Sequence, residues 1–177
     1  NWNGTLWSQL GSDINGEAAG DESGLSVSLS SNGNIVAVGS PFHYGSAVST
    51  GKVNVYSYNG SSWVQLGQNI NGESQSDASG YSISISDDGS TVVIGSPGNN
   101  DNGFNSGQLR VYKENGGVWS QMGQDINGDA PLDDLGLSVS INNDGTIIAV
   151  GSPYNDANGN NSGHVIVYNW NGTLWSQ

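Results

Sequence analysis

Apolar residues fall along this chain in two patterns, and both return at a fixed step. In Leu25-Ser26-Val27-Ser28-Leu29-Ser30 they alternate with hydroxyl side chains, the period-2 order of a strand with one buried face. Asn32-Gly33 is a hairpin signal, and it leads into Ile35-Val36-Ala37-Val38, a continuous run that suits a strand covered on both faces. Pro41 ends that strand, because proline has no N–H to give the ladder. Val53-Asn54-Val55-Tyr56 alternates again, and Tyr58-Asn59-Gly60 turns the chain into Trp63-Val64-Gln65-Leu66. The spacing predicts four short antiparallel strands: A over Leu25–Ser30, B over Ile35–Gly39, C over Lys52–Tyr58 and D over Ser62–Leu66. No window carries a 3.6-residue period, so no helix is predicted.

The same set recurs every 56 residues without insertion or deletion, as Val36-Ala37-Val38-Gly39-Ser40-Pro41, Val92-Val93-Ile94-Gly95-Ser96-Pro97 and Ile148-Ala149-Val150-Gly151-Ser152-Pro153. Trp7, Trp63, Trp119 and Trp175 keep that step, as do Tyr56, Tyr112 and Tyr168. Repetition at this length marks propellers and solenoids, whose units bury their faces only against neighbours. The predicted fold is therefore all-β: tandem four-stranded antiparallel propeller-like blades in three 56-residue repeats. Residues 1–24 read as the outer strand of a preceding blade, at Thr5–Leu10, plus a connecting loop. Blades follow at 25–66, 81–122 and 137–177, with connecting loops at 67–80 and 123–136. Three blades cannot close a ring, so the set has to be completed by further blades or other chains. Residues 1–9 and 169–177 are both NWNGTLWSQ, while 57–65 and 113–121 differ from them. That identity, and an opening at Asn1 without Met, suit a window cut from a larger array with a three-unit super-repeat; a duplicated strand is the alternative.

Composition narrows the partners. The formal charge is −13, with Lys52, Arg110 and Lys113 the only Lys or Arg residues. Such a surface repels a phosphate backbone and an anionic bilayer, which argues against nucleic acid. No stretch has the length of a membrane span, so no membrane insertion is expected. Divalent cations and neutral polyols suit it better. There is no cysteine, hence no disulfide and no reading of the redox compartment.

The run Gly24-Leu25-Ser26-Val27, then Val36-Ala37-Val38-Gly39-Ser40-Pro41, then Gly51-Lys52-Val53-Asn54-Val55-Tyr56 resembles an FG-GAP repeat, and the likeness covers all three units. The resemblance implies the propeller of integrin alpha chains and of many bacterial surface proteins, and with it an extracellular or cell-surface location. Two departures stand out. The Phe that names the family is Ser23, Ser79 or Leu135 here. Its calcium-binding A–B loop is reduced to the turns Ser31-Asn32-Gly33, Asp87-Asp88-Gly89 and Asn143-Asp144-Gly145, too short to wrap an ion, so that metal site is not carried over.

Other carboxylates recur. Glu17/Glu73/Asp129 and Asp21/Asp77/Asp133 lie four apart in every connecting loop. With backbone carbonyls they could hold Ca²⁺, a cation that takes oxygen ligands; alternatively Asp21 and its copies cap the turn before Gly24. The B–C loops Asn99-Asn100-Asp101-Asn102-Gly103 and Asn155-Asp156-Ala157-Asn158-Gly159 have the chemistry of a cation or sugar site and equally that of a solvated turn. Phe42, His43, Tyr44 and Tyr154 could stack on a sugar ring, whereas the Trp series reads as packing between blades. No Cys, His pair or Gly-x-Ser-x-Gly elbow is present, and near-identical units do not readily supply the asymmetric set that catalysis needs, so no enzyme is expected. The reading is an extracellular, non-catalytic repeat module with a structural or adhesive role. Its partners would be copies of itself in a long array or filament, with carbohydrate or a cell-surface protein as further ones. The alternative is a Ca²⁺-dependent or lectin-like binding module in a closed ring.

Overall fold

The computed structural model describes residues 1–45 and 47–177. Among them the chain forms three antiparallel sheets and no helix, the blade architecture expected, and the sheets do not close. The first sheet is β1 (Ser26–Leu29), β2 (Ile35–Ser40), β3 (Lys52–Tyr58) and β4 (Trp63–Gln65), in that order, with β5 (Ile70–Asn71) also on β3. The second repeats it with β6 (Ser82–Ile85), β7 (Thr91–Ser96), β8 (Gln108–Glu114), β9 (Trp119–Gln121) and β10 (Ile126–Asn127). The third holds β11 (Ser138–Ile141), β12 (Ile147–Ser152), β13 (His164–Trp170) and β14 (Trp175–Ser176). Register repeats too: Ser26, Ser82 and Ser138 stand opposite Gly39, Gly95 and Gly151.

The sheets stack through the residues that alternation singled out. Ala37, Val53 and Val55 of the first sheet meet Ile83, Ile85, Val92 and Ile94 of the second in one core. Val93, Leu109 and Val111 on the second sheet's other face meet Ile148 and Val150, with Val139 and Ile141 packed alongside. The β-branched run therefore lies mid-sheet, and β7 is buried along its whole length. The outer-strand tryptophans reach backward along the chain: the indole N–H of Trp119 and Trp175 donates to the carbonyl of Leu66 and Met122 beside the preceding sheet at 2.8 and 2.7 Å, and that of Trp63 to Leu10, ahead of the first sheet, at 2.8 Å. This is the inter-blade packing expected of the series at Trp119 and Trp175; Trp63 meets the segment ahead of the first sheet, and Trp7 is 77% exposed.

Two expectations change. Segments 67–80 and 123–136 are not wholly loops, because Ile70 and Ile126 are buried and pair with Val53 and Leu109 at the start of β3 and β8. Thr5–Leu10 does not form a strand. It makes one bridge, Trp2 to Trp7, because its ladder partner would be the third strand of a sheet ahead of it. Ile14, which has no such sheet to pair with, is likewise outside any strand.

Candidate functional site

Two features are candidates: the carboxylates of the loop rim, and the faces of the first and last sheets that no further sheet covers, the first open at Val27 and Leu29 while Val36 and Val38 beside them are buried. In the rim, the paired carboxylates serve separate partners. Asp21, Asp77 and Asp133 are buried, and each is tied to the residue twenty-two positions on, at the head of the B–C loop. Asp21 Oδ2 lies 2.8 Å from His43 Nδ1, and the amides of Asn99 and Asn155 donate to Asp77 and Asp133 at 3.3 and 2.9 Å. Asp77 also accepts the N–H groups of Glu73 and Ser74, and Asp133 that of Ala130. Asp77 and Asp133 thus cap the turn that precedes them, not a turn before the following glycine, and all three aspartates latch the connecting segment to the next loop. Burial pushes Asp77 above the usual carboxylate range, against the lowering effect of its hydrogen bonds and of Arg110. Asp134 is raised by burial and then by neighbouring Asp133.

The other member of each pair points elsewhere. Glu17 lies 2.6 Å from the buried Lys52 ammonium, Glu73 lies 3.1 Å from the buried Arg110 guanidinium, and Asp129 is exposed. Among the described residues, the metal-ligand side chains that do converge are Glu73, Asp101 and Asp125. Tyr112 feels that charge. Burial raises its phenol, Arg110 pulls the other way, and Glu73 and Asp125 add to the rise. Sequence reasoning placed Glu73 among the candidates and Asp101 in a candidate loop, but missed Asp125. Its repeat equivalents are Asp13 and Asn69, so no recurring carboxylate marks the position. Asn99 and Asn155 close their own turns by accepting the N–H of Asp101 and Ala157, which is the turn reading of these loops. Tyr44, Phe104 and Tyr154 are exposed on the same rim.

The sheet faces show a sharp contrast between equivalent positions. Val53 and Val55, covered by the second sheet, are fully buried, whereas Val165 and Val167 at the same places in the last sheet are 70% and 55% exposed. Ile83 and Ile85 are 8% and 6% exposed; their counterparts on the first sheet, Val27 and Leu29, are 61% and 58%. Polar groups follow suit. Ser26 and Ser82 donate to the carbonyls of Gly80 and Gly136 in the next sheet, at 2.7 and 2.6 Å. The N–H of Ile85 and of Ile141 donates back to Ser28 and Ser84. Ser138 and Ser140 hold the same positions on the last sheet, and Gly24 and Leu29 hold the complementary ones on the first.

Comparison with known proteins follows this geometry. A family model described as FG-GAP repeat matches residues 71–112 and 126–168. A solved structure, the hydrazine synthase of Kuenenia stuttgartiensis, shares the fold at a TM-score of 0.54 and 10% identity over 94% of this chain. The present chain spans 38% of that one. No curated protein matches it.

Proposed function

This chain carries FG-GAP repeats, and from that premise we propose that it is a non-catalytic structural or adhesive module that associates head to tail with copies of itself. The observation that carries the proposal is complementarity. The last sheet offers Val165, Val167, Ser138 and Ser140, and the first offers Val27, Leu29, the Gly24 carbonyl and the Leu29 N–H. These are the two halves of an interface that the chain already makes twice, between its first and second and its second and third sheets. Burying each exposed valine or leucine contributes about 1.5–3 kcal/mol, so a few such side chains offset a substantial part of the cost of association. A second copy is the occupant that fits both faces at once. A contact of this kind makes a filament where its rotation does not close and a ring where it does. An extracellular setting suits the fold and the acidic, cysteine-free composition, with carbohydrate or a surface protein as further partners on the loop rim.

Mass measured by light scattering over a hundredfold range of protein concentration tests this, with negative-stain imaging of the product. Species larger than one chain that grow with concentration are expected. A chain that stays monomeric into the millimolar range would sink the proposal.

A further inference from the structure

The segments that join one sheet to the next are themselves part of the ladder. Between the first two sheets Ile70 and Asn71 pair with Val53 and Lys52. The N–H groups of Gly72, Ser76, Ala78 and Ser79 then donate to the carbonyls of Gly51, Val48, Ser49 and Thr50 at 2.9–3.1 Å. One repeat further on, Ile126 and Asn127 pair with Leu109 and Gln108. Gly128, Leu132, Asp134 and Leu135 donate there to Gly107, Phe104, Asn105 and Ser106 at 2.8–3.0 Å. Each joining segment is thus laid along the third strand and the B–C loop of the sheet behind it.

The chain has one such segment with no sheet behind it, residues 14–23, and one such sheet with no segment, the third. Gly16, Gly20, Glu22 and Ser23 hold the donor places, and among the described residues none of their N–H groups donates to another backbone group. Gly163, Asn160, Asn161 and Ser162 hold the acceptor places, and among those residues none of their carbonyls accepts from the backbone. Ser79 and Leu135 are 0% and 1% exposed, whereas Ser23 is open to solvent. The matching place on the third sheet is a groove of about 480 Å³ that runs past Ser152, Pro153, Ser162, Gly163, His164 and Val165.

Both halves already have the shape of their counterparts. Glu22 is left-handed at φ 51°, as are Ala78 and Asp134 at 54° and 50°. Asn161 at 52° matches Ser49 and Asn105 at 53° and 50°. Such a backbone is uncommon outside glycine. Gly16 carries the sharper sign. A Cβ on Gly72 or Gly128 would stand 1.9 Å from the carbonyl oxygen of Thr50 or Ser106, too close for any side chain. On Gly16, among the described residues, it would meet only the exposed Ser23 side chain, from 3.0 Å, and its φ lies outside the left-handed region. The crowding that accounts for Gly72 and Gly128 is missing at Gly16 within one chain, and the Ser162 carbonyl of a second copy would supply it.

We propose that residues 14–23 of one copy add as a strand to the third sheet of another. Resting on the head-to-tail contact proposed above, the pairing puts Ile14 opposite Val165 and Asn15 opposite His164. It sends the N–H groups of Gly16, Gly20, Glu22 and Ser23 to the carbonyls of Gly163, Asn160, Asn161 and Ser162. In strand addition of this kind main-chain hydrogen bonds hold the partner and side-chain alternation sets the register. Asp21 on His43 at 2.8 Å and Glu17 on Lys52 at 2.6 Å already fix the segment to its own blade, which lowers the ordering cost of docking. β14 fills the outer place on the third sheet, so residues 1–9 of the arriving copy, identical to 169–177, stay off the ladder.

The chain has no cysteine, so single thiols report the register. Directly opposite residues of a strand pair have Cβ atoms about 4.5–5.5 Å apart, within a small adjustment of disulfide geometry. Asn15→Cys chains mixed with His164→Cys chains under mild oxidation should give a cross-linked pair. Asn15→Cys mixed with Asn169→Cys, about 17 Å further along β13, should not. Gly16→Ala should weaken assembly roughly 10- to 100-fold by light scattering. Melting at low concentration, expected to match that of the parent, confirms that this variant is folded. If the parent assembles, Gly16→Ala assembles equally well and Asn15→Cys fails to cross-link to His164→Cys, strand addition is overturned while the head-to-tail contact stands. Cross-linking as ready with Asn169→Cys as with His164→Cys overturns the register. A parent that stays monomeric into the millimolar range overturns both.

Discussion

Asp88 and Asp77 are both carboxylates of the second blade, and their surroundings push them in opposite directions. Asp88 closes the A–B turn. Burial works to raise it, but the hydroxyls of Ser86 and Ser90, the Ser90 N–H and the Lys113 ammonium together hold it down to about 2. A carboxylate lowered in the folded state contributes stability above its unfolded range, near pH 4, and loses that contribution as pH falls toward 2. Asp88→Asn should therefore cost about 1 kcal/mol at pH 6, and the difference from the parent should shrink as pH falls to 2, read by urea unfolding followed on tryptophan fluorescence. Asp77 runs the other way. Its raised carboxyl makes ionisation a cost above that raised value, so its own contribution to stability improves as pH drops through it toward the ordinary range. Its geometry is worth more than its charge. Asp77→Ala strips acceptors from the N–H groups of Glu73 and Ser74 and from the Asn99 amide, and should cost about 2–3 kcal/mol at neutral pH. Asp77→Asn, which keeps one acceptor oxygen, should cost less. A loss from Asp77→Ala no larger than that of an exposed substitution would refute the latch.

The Gly-Ser-Pro that closes each B strand was the clearest signal in the sequence, and the structure gives its glycine a steric reason. A Cβ on Gly39 would stand 2.1 Å from the Gly80 carbonyl oxygen, and one on Gly95 would stand 2.0 Å from that of Gly136. Inner strands approach the next blade too closely for any side chain. On Gly151, the third member, the same Cβ meets the Ser138 hydroxyl, which can rotate away, and no backbone of a following sheet. Gly95→Ala should thus destabilise by several kcal/mol, in the range of severe core overpacking, whereas Gly151→Ala should shift the melting temperature little. Equal losses at the two positions would show that the constraint lies within a sheet and not between sheets. The contrast also marks what could be read in advance. Alternation and Asn-Gly turns sufficed for strands A to D, because each is fixed by local period and turn chemistry. The fate of Thr5–Leu10 was hidden, since a strand exists only where a partner offers its ladder. The same held for Val165, whose pattern matches that of Val53 yet faces nothing. Of the carboxylate cluster, Glu73 showed through recurrence, while Asp125 did not, because a cluster present in one unit breaks the periodicity that made the others visible.

Across the whole chain, the two open faces are different surfaces, and that difference dictates how association must respond to mutation. In a head-to-tail contact the face bearing Val165 and Val167 meets the face bearing Val27 and Leu29, so each chain has one half of each kind. Val165→Glu with Val167→Glu disables the trailing half, and Val27→Glu with Leu29→Glu disables the leading half. Each double variant, having lost one half, finds no partner among its own copies and should stay monomeric at concentrations where the parent assembles. A mixture of the two still holds one intact pair of halves. It should give a one-to-one complex of two chains and stop there, because both remaining ends are charged. A face that paired with itself would behave otherwise: one variant would remain dimeric alone, and mixing would add nothing. Charge sets the conditions. Copies carrying −13 each repel, and the long-range part of that repulsion is screened as the Debye length falls to about 10 Å at 0.1 M salt. Parent assembly and the mixed complex should therefore both strengthen between low and moderate ionic strength in a sedimentation experiment, since the contact itself is apolar; assembly that weakens with salt would point to an ionic interface elsewhere on the molecule.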